Sequence, residues 1–475
     1  MGPPLPFAQR SSYPVRTTGN LSFFVDAEDS FASIAAALES AKRHVYITCA
    51  YASLNFRMRP PATEQLLDLC HRLSLRGITV ALLFWKPTGV VAGTVPDGSA
   101  AQIKIAAPAV LARWDVANTA GIYPRQLGCH HQKTFVIDGV VAFVGGINMT
   151  QDYWDTCAHA SVDDRRVSYD IVEPVKRAQA GAIALPLHDV FARFDGSAAA
   201  DVEANFVERW NGATERSGPD LTATAVADAG ASGGALIQVL RTIAPNTYPH
   251  TAAGEQSIKE AMLNAINGAQ HSIYFENQYF FDDDVVGALR GAGERGVRIV
   301  GLLTRQPDAG QFVGHLESLM EDGEESRFQW TSFNPTLRQR IQLYTPFTSD
   351  AQPARDIYVH SKTMIVDDRW VIVGSANISF TSMDFHSEMC VLVEDAAHAR
   401  ALRVRLWAEH FCCLASDVPV DFEAGADRWE AMGEQNLARL GKRQLAARMV
   451  PLQPPASYGA DILSTGTGED DTALT

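Results

Sequence analysis

The chain carries two histidine–lysine pairs at identical spacing. His131 and Lys133 form the first pair, and His360 and Lys362 form the second. The same intervals then lead to an aspartate, a glycine with a small neighbour and an asparagine: Asp138, Gly145, Gly146 and Asn148, then Asp367, Gly374, Ser375 and Asn377. A histidine is a nucleophile or proton carrier near neutral pH, and a lysine two positions along a strand points to the same face. The two pairs together predict a site for an anionic phosphodiester.

Metal-dependent chemistry is a competing interpretation of so many histidines and acids. The histidine spacing does not match a two-histidine helix motif, and a lysine inside the cluster repels a divalent cation. The lysines themselves supply positive charge for a phosphate. We therefore predict that the reaction needs no metal and no cofactor.

The repeated motif resembles the HKD signature of the phospholipase D superfamily. Four further segments are similar to sequence segments of the phosphatidylcholine-type phospholipases D: residues 187–190, 206–211, 273–280 and 357–362. The resemblance covers roughly residues 20–415. It implies a phospholipase D that acts on glycerophospholipids.

By this resemblance, one histidine attacks phosphorus and forms a phosphohistidine, and the other protonates the leaving alkoxide and then activates water or a primary alcohol. The histidine of the first half is the usual nucleophile in the family, which favours His131 over His360. The products would be phosphatidic acid and a free headgroup, or a phosphatidyl-alcohol. The alternatives are a phosphatidyltransferase similar to cardiolipin synthase, a nuclease or other phosphodiesterase of this fold, and a non-catalytic lipid-binding protein.

Four repeated side chains are suited to holding the phosphate. Lys133 and Lys362 would bind the non-bridging oxygens, which gain negative charge in the transition state. Asn148 and Asn377 would donate amide hydrogen bonds to the same oxygens. The small residues would let the backbone approach phosphate closely: Gly145, Gly146, Gly374 and Ser375.

Four acidic residues have equivalent places in the two copies. Asp138 and Asp367 each follow an apolar strand at a turn, which predicts a structural role. Asp189 and Glu388 align when the halves are superimposed, and each begins a strand. A catalytic histidine needs an acceptor on its second ring nitrogen. We therefore predict that Asp189 and Glu388 are these acceptors, each pairing with the histidine of its own half.

The repeat extends beyond the motif and predicts the fold. Residues 34–47 resemble residues 262–275, and residues 76–80 resemble residues 295–299. Each half alternates amphipathic helices with apolar strands, which indicates an α/β fold with a buried sheet. We expect two similar α/β/α sandwich lobes, produced by internal duplication and packed with pseudo-two-fold symmetry.

Composition shifts suggest the domain boundaries. They are an N-terminal extension at 1–19, a first lobe at 20–211, a linker at 212–234, a second lobe at 235–415, and a C-terminal segment at 416–475. The last of these should hold one helix, about Ala426 to Arg448, and a disordered tail from Pro451. Aromatic residues of two irregular stretches should form an apolar rim for acyl chains: Trp114, Tyr123, Phe312, Phe328, Trp330, Phe333, Tyr344 and Phe347. Tyr153, Trp154 and Tyr279 could face a cationic headgroup.

Charge and hydropathy indicate which partners and which cellular location to expect. The 475 residues are 46% hydrophobic and carry a net charge of −15, which disfavours binding to nucleic acid. We expect a monomer that meets phospholipid at a membrane surface or in a micelle, with water or a primary alcohol as second substrate. The first residues do not resemble a signal peptide, and the sequence has no apolar run long enough to span a membrane. These features predict a protein that is not integral to the membrane, located in the cytoplasm or exported without a classical signal.

Overall fold

The structure is a computed structural model that describes most of the chain. The described residues are 6–53, 55–86, 99–116, 129–166, 185–213, 218–225, 234–248, 251–305 and 334–453.

The first sheet is built from the first half of the chain. Its strand order is β2 (Leu21–Val25), β9 (Val190–Asp195), β7 (Val141–Gly145), β6 (Thr134–Ile137), β3 (His44–Cys49), β4 (Thr79–Lys86) and β5 (Leu111–Val116). Neighbours from β2 to β3 pair antiparallel, and β3, β4 and β5 pair parallel.

The second sheet repeats this topology. Its order is β1 (Arg16–Thr18), β10 (Ala235–Ile243), β18 (Glu388–Glu394), β17 (Trp370–Gly374), β16 (Thr363–Val366), β12 (Ser272–Asn277), β13 (Arg298–Leu303), β14 (Ile341–Pro346) and β19 (Met449–Pro451), with β11 (Glu255–Gln256) beside β10. From β10 to β14 the antiparallel and parallel pairings succeed one another as they do from β2 to β5. The predicted α/β architecture with two similar lobes is therefore confirmed.

Helices cover both faces of the sheets. The described helices are α1 (Asp26–Glu39), α2 (Leu66–Leu75), α3 (Ser99–Ala106), α4 (Ser197–Gly212), α5 (Ser257–Gly268), α6 (Asp283–Glu294), α7 (Pro335–Arg340), α8 (Phe380–Asp384), α9 (Ala396–Phe411) and α10 (Phe422–Arg439). On β12, Ile273 and Phe275 pack in the cluster that contains α5 and α6. Tyr274 points the other way and contacts Trp407 of α9 and Trp429 of α10. A strand that is buried on both faces has no polar alternation, which explains its apolar sequence.

The two lobes pack directly against each other. Strands β7 and β9 lie against β17 and β18, and one apolar cluster holds residues of both sheets, among them Val144, Val373 and Met389. A short parallel ribbon also joins the halves, formed by β8 (Leu187–His188) and β15 (Tyr358–Val359). These contacts place the starts of the two motif strands, β6 and β16, near the interface.

The two motif aspartates fix equivalent turns. Asp138 and Asp367 both have positive φ, 56° and 53°. The Asp138 carboxylate accepts hydrogen bonds from the backbone N–H groups of residues 42–44, and the Asp367 carboxylate does so from residues 270–272. Each carboxylate therefore ties the hairpin of the motif to the start of β3 or β12, which supports a structural role.

Several segments differ from the sequence-based expectations. The C-terminal helix α10 begins at Phe422 and ends at Arg439, earlier than predicted. The Asn436 side chain binds the carbonyls of Ala447 and Met449, so the chain turns back and adds β19 to the sheet. Strand β1 of the N-terminal extension pairs with β10 of the second half. The lobe boundaries stay a prediction, and the tail from residue 454 lies outside the described residues.

Three of the aromatic residues predicted for an apolar rim are buried instead. Trp114, Tyr344 and Phe347 are at most 7% exposed, because they lie on or beside strands and pack into the core. The other predicted rim aromatics lie outside the described residues: Tyr123, Phe312, Phe328, Trp330 and Phe333. In the described part of the chain, none of the helices is both long and apolar enough to cross a membrane.

Candidate active site

The two motif histidines lie three residues before the starts of β6 and β16, and each is held by backbone from the opposite half. The N–H of His131 donates to the carbonyl of Ser387 at 2.9 Å, and the N–H of His360 donates to the carbonyl of His188 at 2.8 Å. Ser387 and His188 are the residues that precede Glu388 and Asp189 in sequence. Each histidine therefore lies beside a carboxylate of the other half.

The side chains confirm two buried pairs but not the predicted partners. His131 Nδ1 is 3.0 Å from Glu388 Oε1, and His360 Nδ1 is 2.7 Å from Asp189 Oδ2. The prediction that each histidine pairs within its own half is wrong. The parallel ribbon of β8 with β15, and an equivalent bridge between His130 and Ser387, set the pairing across the interface.

Glu388 is held as a carboxylate by hydroxyl and imidazole groups. Ser375 Oγ donates to it at 2.5 Å and Ser382 Oγ at 2.7 Å. Burial raises the pKa of Glu388, but the interactions with His131 outweigh burial and hold it below its usual range. Burial lowers the pKa of His131 to about 4, aided by the nearby Lys133 and opposed by Glu388. At neutral pH a neutral His131 therefore donates its Nδ1 proton to an ionised Glu388, which leaves a lone pair on Nε2.

In the second pair, Asp189 and His360, the pKa of the carboxyl group is raised rather than lowered. Burial raises the pKa of Asp189 to about 7, although Lys362 opposes the shift. Burial also lowers the pKa of His360, and Lys362, Lys133 and His131 lower it further. Asp189 Oδ1 accepts the N–H of Val190 at 2.7 Å. His360 is completely buried, and its Nε2 has no hydrogen-bond partner among the described residues. The Asp189–His360 pair therefore holds a proton at higher pH than the Glu388–His131 pair does.

Both motif lysines are buried beside their histidines. Lys133 Nζ donates to the carbonyl of His131 at 2.9 Å. Lys362 Nζ donates to the carbonyl of His360 and, at 3.3 Å, to Gln278 Oε1. Both lysines lower the pKa of His360, so both positive charges act on the surroundings of this histidine. Such a place favours an anion.

The two motif asparagines each have one buried amide atom without a partner in the described part of the chain. In Asn148 it is Nδ2, whereas Oδ1 accepts the N–H of Tyr51 at 3.4 Å. In Asn377 it is Oδ1, and the oxygen and nitrogen of an amide are interchangeable by a flip. A buried polar atom without a partner is costly. These atoms are therefore available to a bound phosphate.

The small motif residues make room for neighbouring protein atoms, whereas close approach of their backbone to phosphate stays a prediction. A Cβ at position 146 would lie 2.4 Å from Asp189 Oδ1, and one at position 145 would lie 2.5 Å from the Phe191 ring. At Gly374 it would lie 2.3 Å from the carbonyl oxygen of Met389. Ser375 has its own role, since its hydroxyl binds Glu388. The strands that follow Asp189 and contain Glu388 pass so close to these glycines that a side chain would not fit between them.

Sequence reasoning missed His386, and it did not predict that Tyr153 contacts a motif histidine. The His386 ring lies 5.9 Å from that of His131, and its Nδ1 is 3.5 Å from Glu388 Oε1. His386 lies two residues before Glu388 in the sequence, and this proximity is a signal that could have identified it. The Tyr153 ring meets His360 edge-on at 4.9 Å.

The proposed headgroup residues have different environments. Trp154 is 1% exposed, and the guanidinium of Arg165 lies 4.6 Å from its ring centroid. Its ring is therefore occupied within the protein, and the prediction that it faces a headgroup is wrong. Tyr153 contacts His360 as described above, and Tyr279 is partly exposed, so a role for Tyr279 stays a prediction.

His131, His386 and Glu388 form a group of potential metal ligands within 4.8 Å of one another. Lys133 already lowers the pKa of His131 by its charge, and the same charge opposes a cation at this place. The donor set therefore fits a divalent metal poorly. Metal independence of the reaction stays a prediction.

Matches to two family models together span residues 37–409. Residues 37–285 match a family model described as "Phospholipase D", slightly more than half of the chain. Residues 262–409 match one described as "Cardiolipin synthase, PLD-like domain".

Individual proteins are similar over most of the chain. "Phospholipase D A" of Dictyostelium discoideum is 27% identical over 85% of this chain and 36% of its own length. "Phospholipase D1" of Schizosaccharomyces pombe is 25% identical over 84% of this chain and, again, 36% of its own length. The chain thus spans about a third of these relatives. The crystal structure of phosphatidylserine synthase from Haemophilus influenzae has the same fold, with a TM-score of 0.55, 14% identity, and coverage of 83% of this chain and 87% of that one.

Proposed function

Because the chain belongs to the phospholipase D superfamily, we propose that it hydrolyses the distal phosphodiester of glycerophospholipids through a phosphohistidine, and that it transfers the phosphatidyl group to alcohols. The observation that carries this proposal is the crossed pairing of His131 with Glu388 and of His360 with Asp189. Crossed pairing builds one site from both motifs, as a two-step displacement requires.

In the first step, His131 Nε2 attacks phosphorus. The bond from phosphorus to nitrogen forms as the bond from phosphorus to the headgroup oxygen breaks. Ionised Glu388 accepts the Nδ1–H of His131 and stabilises the imidazolium that results. The low pKa of Glu388 suits this role, and it favours His131 as the nucleophile independently of any family likeness.

His360 then supplies the proton that the leaving headgroup needs. A proton shared by Asp189 Oδ2 and His360 Nδ1 leaves His360 Nε2 protonated and able to donate. The raised pKa of Asp189, about 7, supports this assignment, because a general acid works best with a pKa near the operating pH. After donation the Asp189–His360 pair has one proton fewer.

The second step reverses the first with a new oxygen nucleophile. Water or an alcohol gives its proton to His360 as its oxygen bonds to phosphorus, and the bond to His131 breaks. Water yields phosphatidic acid, and an alcohol yields a phosphatidyl-alcohol. Lys133, Lys362 and the amides of Asn148 and Asn377 would hold the non-bridging oxygens in both steps.

Mass spectrometry of the products formed from mixed phospholipids, with and without ethanol, tests the proposal. We expect phosphatidic acid without ethanol and phosphatidylethanol with it, at a partition ratio that is the same for different headgroups. The ratio should be the same because the covalent intermediate is common to all substrates and no longer contains the headgroup. Ratios that change with the headgroup, together with no trapped adduct, would remove the covalent mechanism.

A phosphatidyltransferase is the second candidate function. The match of residues 262–409 to a cardiolipin-synthase model favours it, and the chemistry differs only in the acceptor. Supplying phosphatidylglycerol and water together distinguishes the two functions. Predominant cardiolipin would indicate the transferase, and predominant phosphatidic acid the phospholipase. The net charge of −15 disfavours a nuclease.

A further inference from the structure

A second group of histidines and carboxylates is buried behind the Asp189–His360 pair. We call it the interface cluster, and its inner members are Asp26, His159, His188 and Glu409. The first three belong to the first half of the chain, and Glu409 lies on α9 of the second half. The mechanism proposed above gives none of the four a chemical role.

The inner atoms converge on one point. His188 Nδ1 lies 3.1 Å from Asp26 Oδ1 and 2.9 Å from Glu409 Oε1. His159 Nε2 lies 2.9 Å from Glu409 Oε1 and 3.6 Å from Asp26 Oδ2. Four ligands at about 2.0–2.2 Å from a tetrahedral zinc ion would be roughly 3.4 Å apart. The observed separations bracket that value.

The outer nitrogen of each histidine is already bound to a carboxylate. His159 Nδ1 lies 2.9 Å from Asp155 Oδ2, and His188 Nε2 lies 3.0 Å from Glu276 Oε2. Metal-binding histidines almost always make such a contact, since it fixes the tautomer and directs the other nitrogen at the ion. In this cluster both inner nitrogens face Asp26 and Glu409.

Asp26 provides a separate indication of a ligand. Its Oδ2 is buried without a hydrogen-bond partner among the described residues, and the residue is 1% exposed. A cation at the centre of the interface cluster would satisfy the carboxylate oxygen.

Charge balance also calls for positive charge at this place. The cluster and its outer contacts contain four carboxylates, while Arg166 contributes one buried guanidinium, 2.8 Å from Asp155. Either a divalent cation with two neutral imidazoles or two protonated imidazoles would supply two further positive charges. A cation would bind Asp26 Oδ2 directly, whereas a protonated His159 leaves that oxygen 3.6 Å from its Nε2, beyond hydrogen-bond distance.

We propose that the interface cluster binds one divalent transition-metal ion through His159 Nε2, His188 Nδ1, Asp26 and Glu409. Two nitrogen and two oxygen ligands suit zinc and its first-row neighbours, whereas magnesium and calcium prefer oxygen alone. Four protein ligands leave a tetrahedral ion no open position, so the ion is structural. It joins the two halves at the backbone that holds His360.

Metal analysis of the intact protein tests the proposal. The protein is prepared with zinc, dialysed against metal-free buffer and examined by elemental mass spectrometry. We expect one zinc per chain in the wild type and in His386→Gln, and a loss of most of it in His159→Gln. Replacement by Co2+ should give the visible absorption of a tetrahedral site in the same two proteins that retain zinc.

The other outcomes overturn the proposal. Wild-type protein that holds no stoichiometric zinc and does not gain thermal stability when zinc is added would mean that two protonated imidazoles fill the cluster. Zinc lost in His386→Gln but kept in His159→Gln would place the ion beside His131 instead. The wild-type measurement decides the matter even if His159→Gln fails to fold, and none of these readouts depends on phospholipase activity.

Discussion

Gly146 lies directly beneath the carboxylate of Asp189, so closely that a Cβ at position 146 would be 2.4 Å from Oδ1. Asp189 Oδ2 in turn lies 2.7 Å from Nδ1 of His360, which belongs to the other half of the chain, and the two share a hydrogen bond. A small residue of the first motif thus leaves the space that Asp189 needs to contact the histidine of the second motif.

Gly146→Ala should therefore impair catalysis by displacing Asp189. We expect kcat to fall about a hundredfold, because a poorly supported general acid loses most of its contribution, while the fold is retained. Gly287→Ala is the matched control, since a Cβ there meets no atom of the described residues within 4 Å. Steady-state kinetics with a soluble phosphodiester and circular dichroism measure both properties. Wild-type turnover in Gly146→Ala would contradict the proposed link.

The two histidines should not act additively. Each acts in the same reaction sequence, so His131→Ala or His360→Ala alone should remove most activity, by about a thousandfold or more, and the double variant should lose little more. Acid quench during turnover should trap phosphorus on the peptide that contains His131. Label on His360 would reverse the two roles, and near-normal activity in either single variant would disprove a shared site.

Amide substitutions test the two carboxylates. Glu388→Gln and Asp189→Asn keep the size of each side chain but allow the wrong histidine tautomer. We expect turnover to fall about a hundredfold or more in each, with unchanged thermal stability as the check on folding. Glu394→Gln, at the far end of the same strand as Glu388, is the matched control. Near-normal turnover in both amide variants would show that these acids do not support the histidines.

The pH profile should have two limbs of different origin. His131 must be neutral to attack, so kcat/KM should fall as the pH drops through about 4, its pKa in the protein. The Asp189–His360 pair must be protonated to act as an acid, so kcat/KM for an alkyl headgroup should fall as the pH rises through about 7. A nitrophenyl leaving group departs without being protonated. The pH profile for a substrate with this group should therefore lack only the basic limb. The same basic limb for both substrates would contradict the acid role.

The sequence by itself determined the features that depend on local spacing. The repeat of His131 and Lys133 in His360 and Lys362 indicated the candidate site, and helix–strand alternation in each half predicted two α/β lobes. Aligning the halves identified Asp189 and Glu388, because duplicated strands keep their side chains on equivalent faces. These conclusions depend only on the spacing of residues along the chain and on the regular repeat of helices and strands.

Only the tertiary structure decided which groups meet across the interface. Strand periodicity contains no information about how two lobes dock, so the pairing of His131 with Glu388 and of His360 with Asp189 could not be predicted from either half. The same docking explains why Gly146 must be small, since the space that its side chain would fill belongs to a carboxylate. It also brings Glu409 to His159 and His188, which lie more than two hundred positions away in the sequence and are joined only by the packing of the two halves.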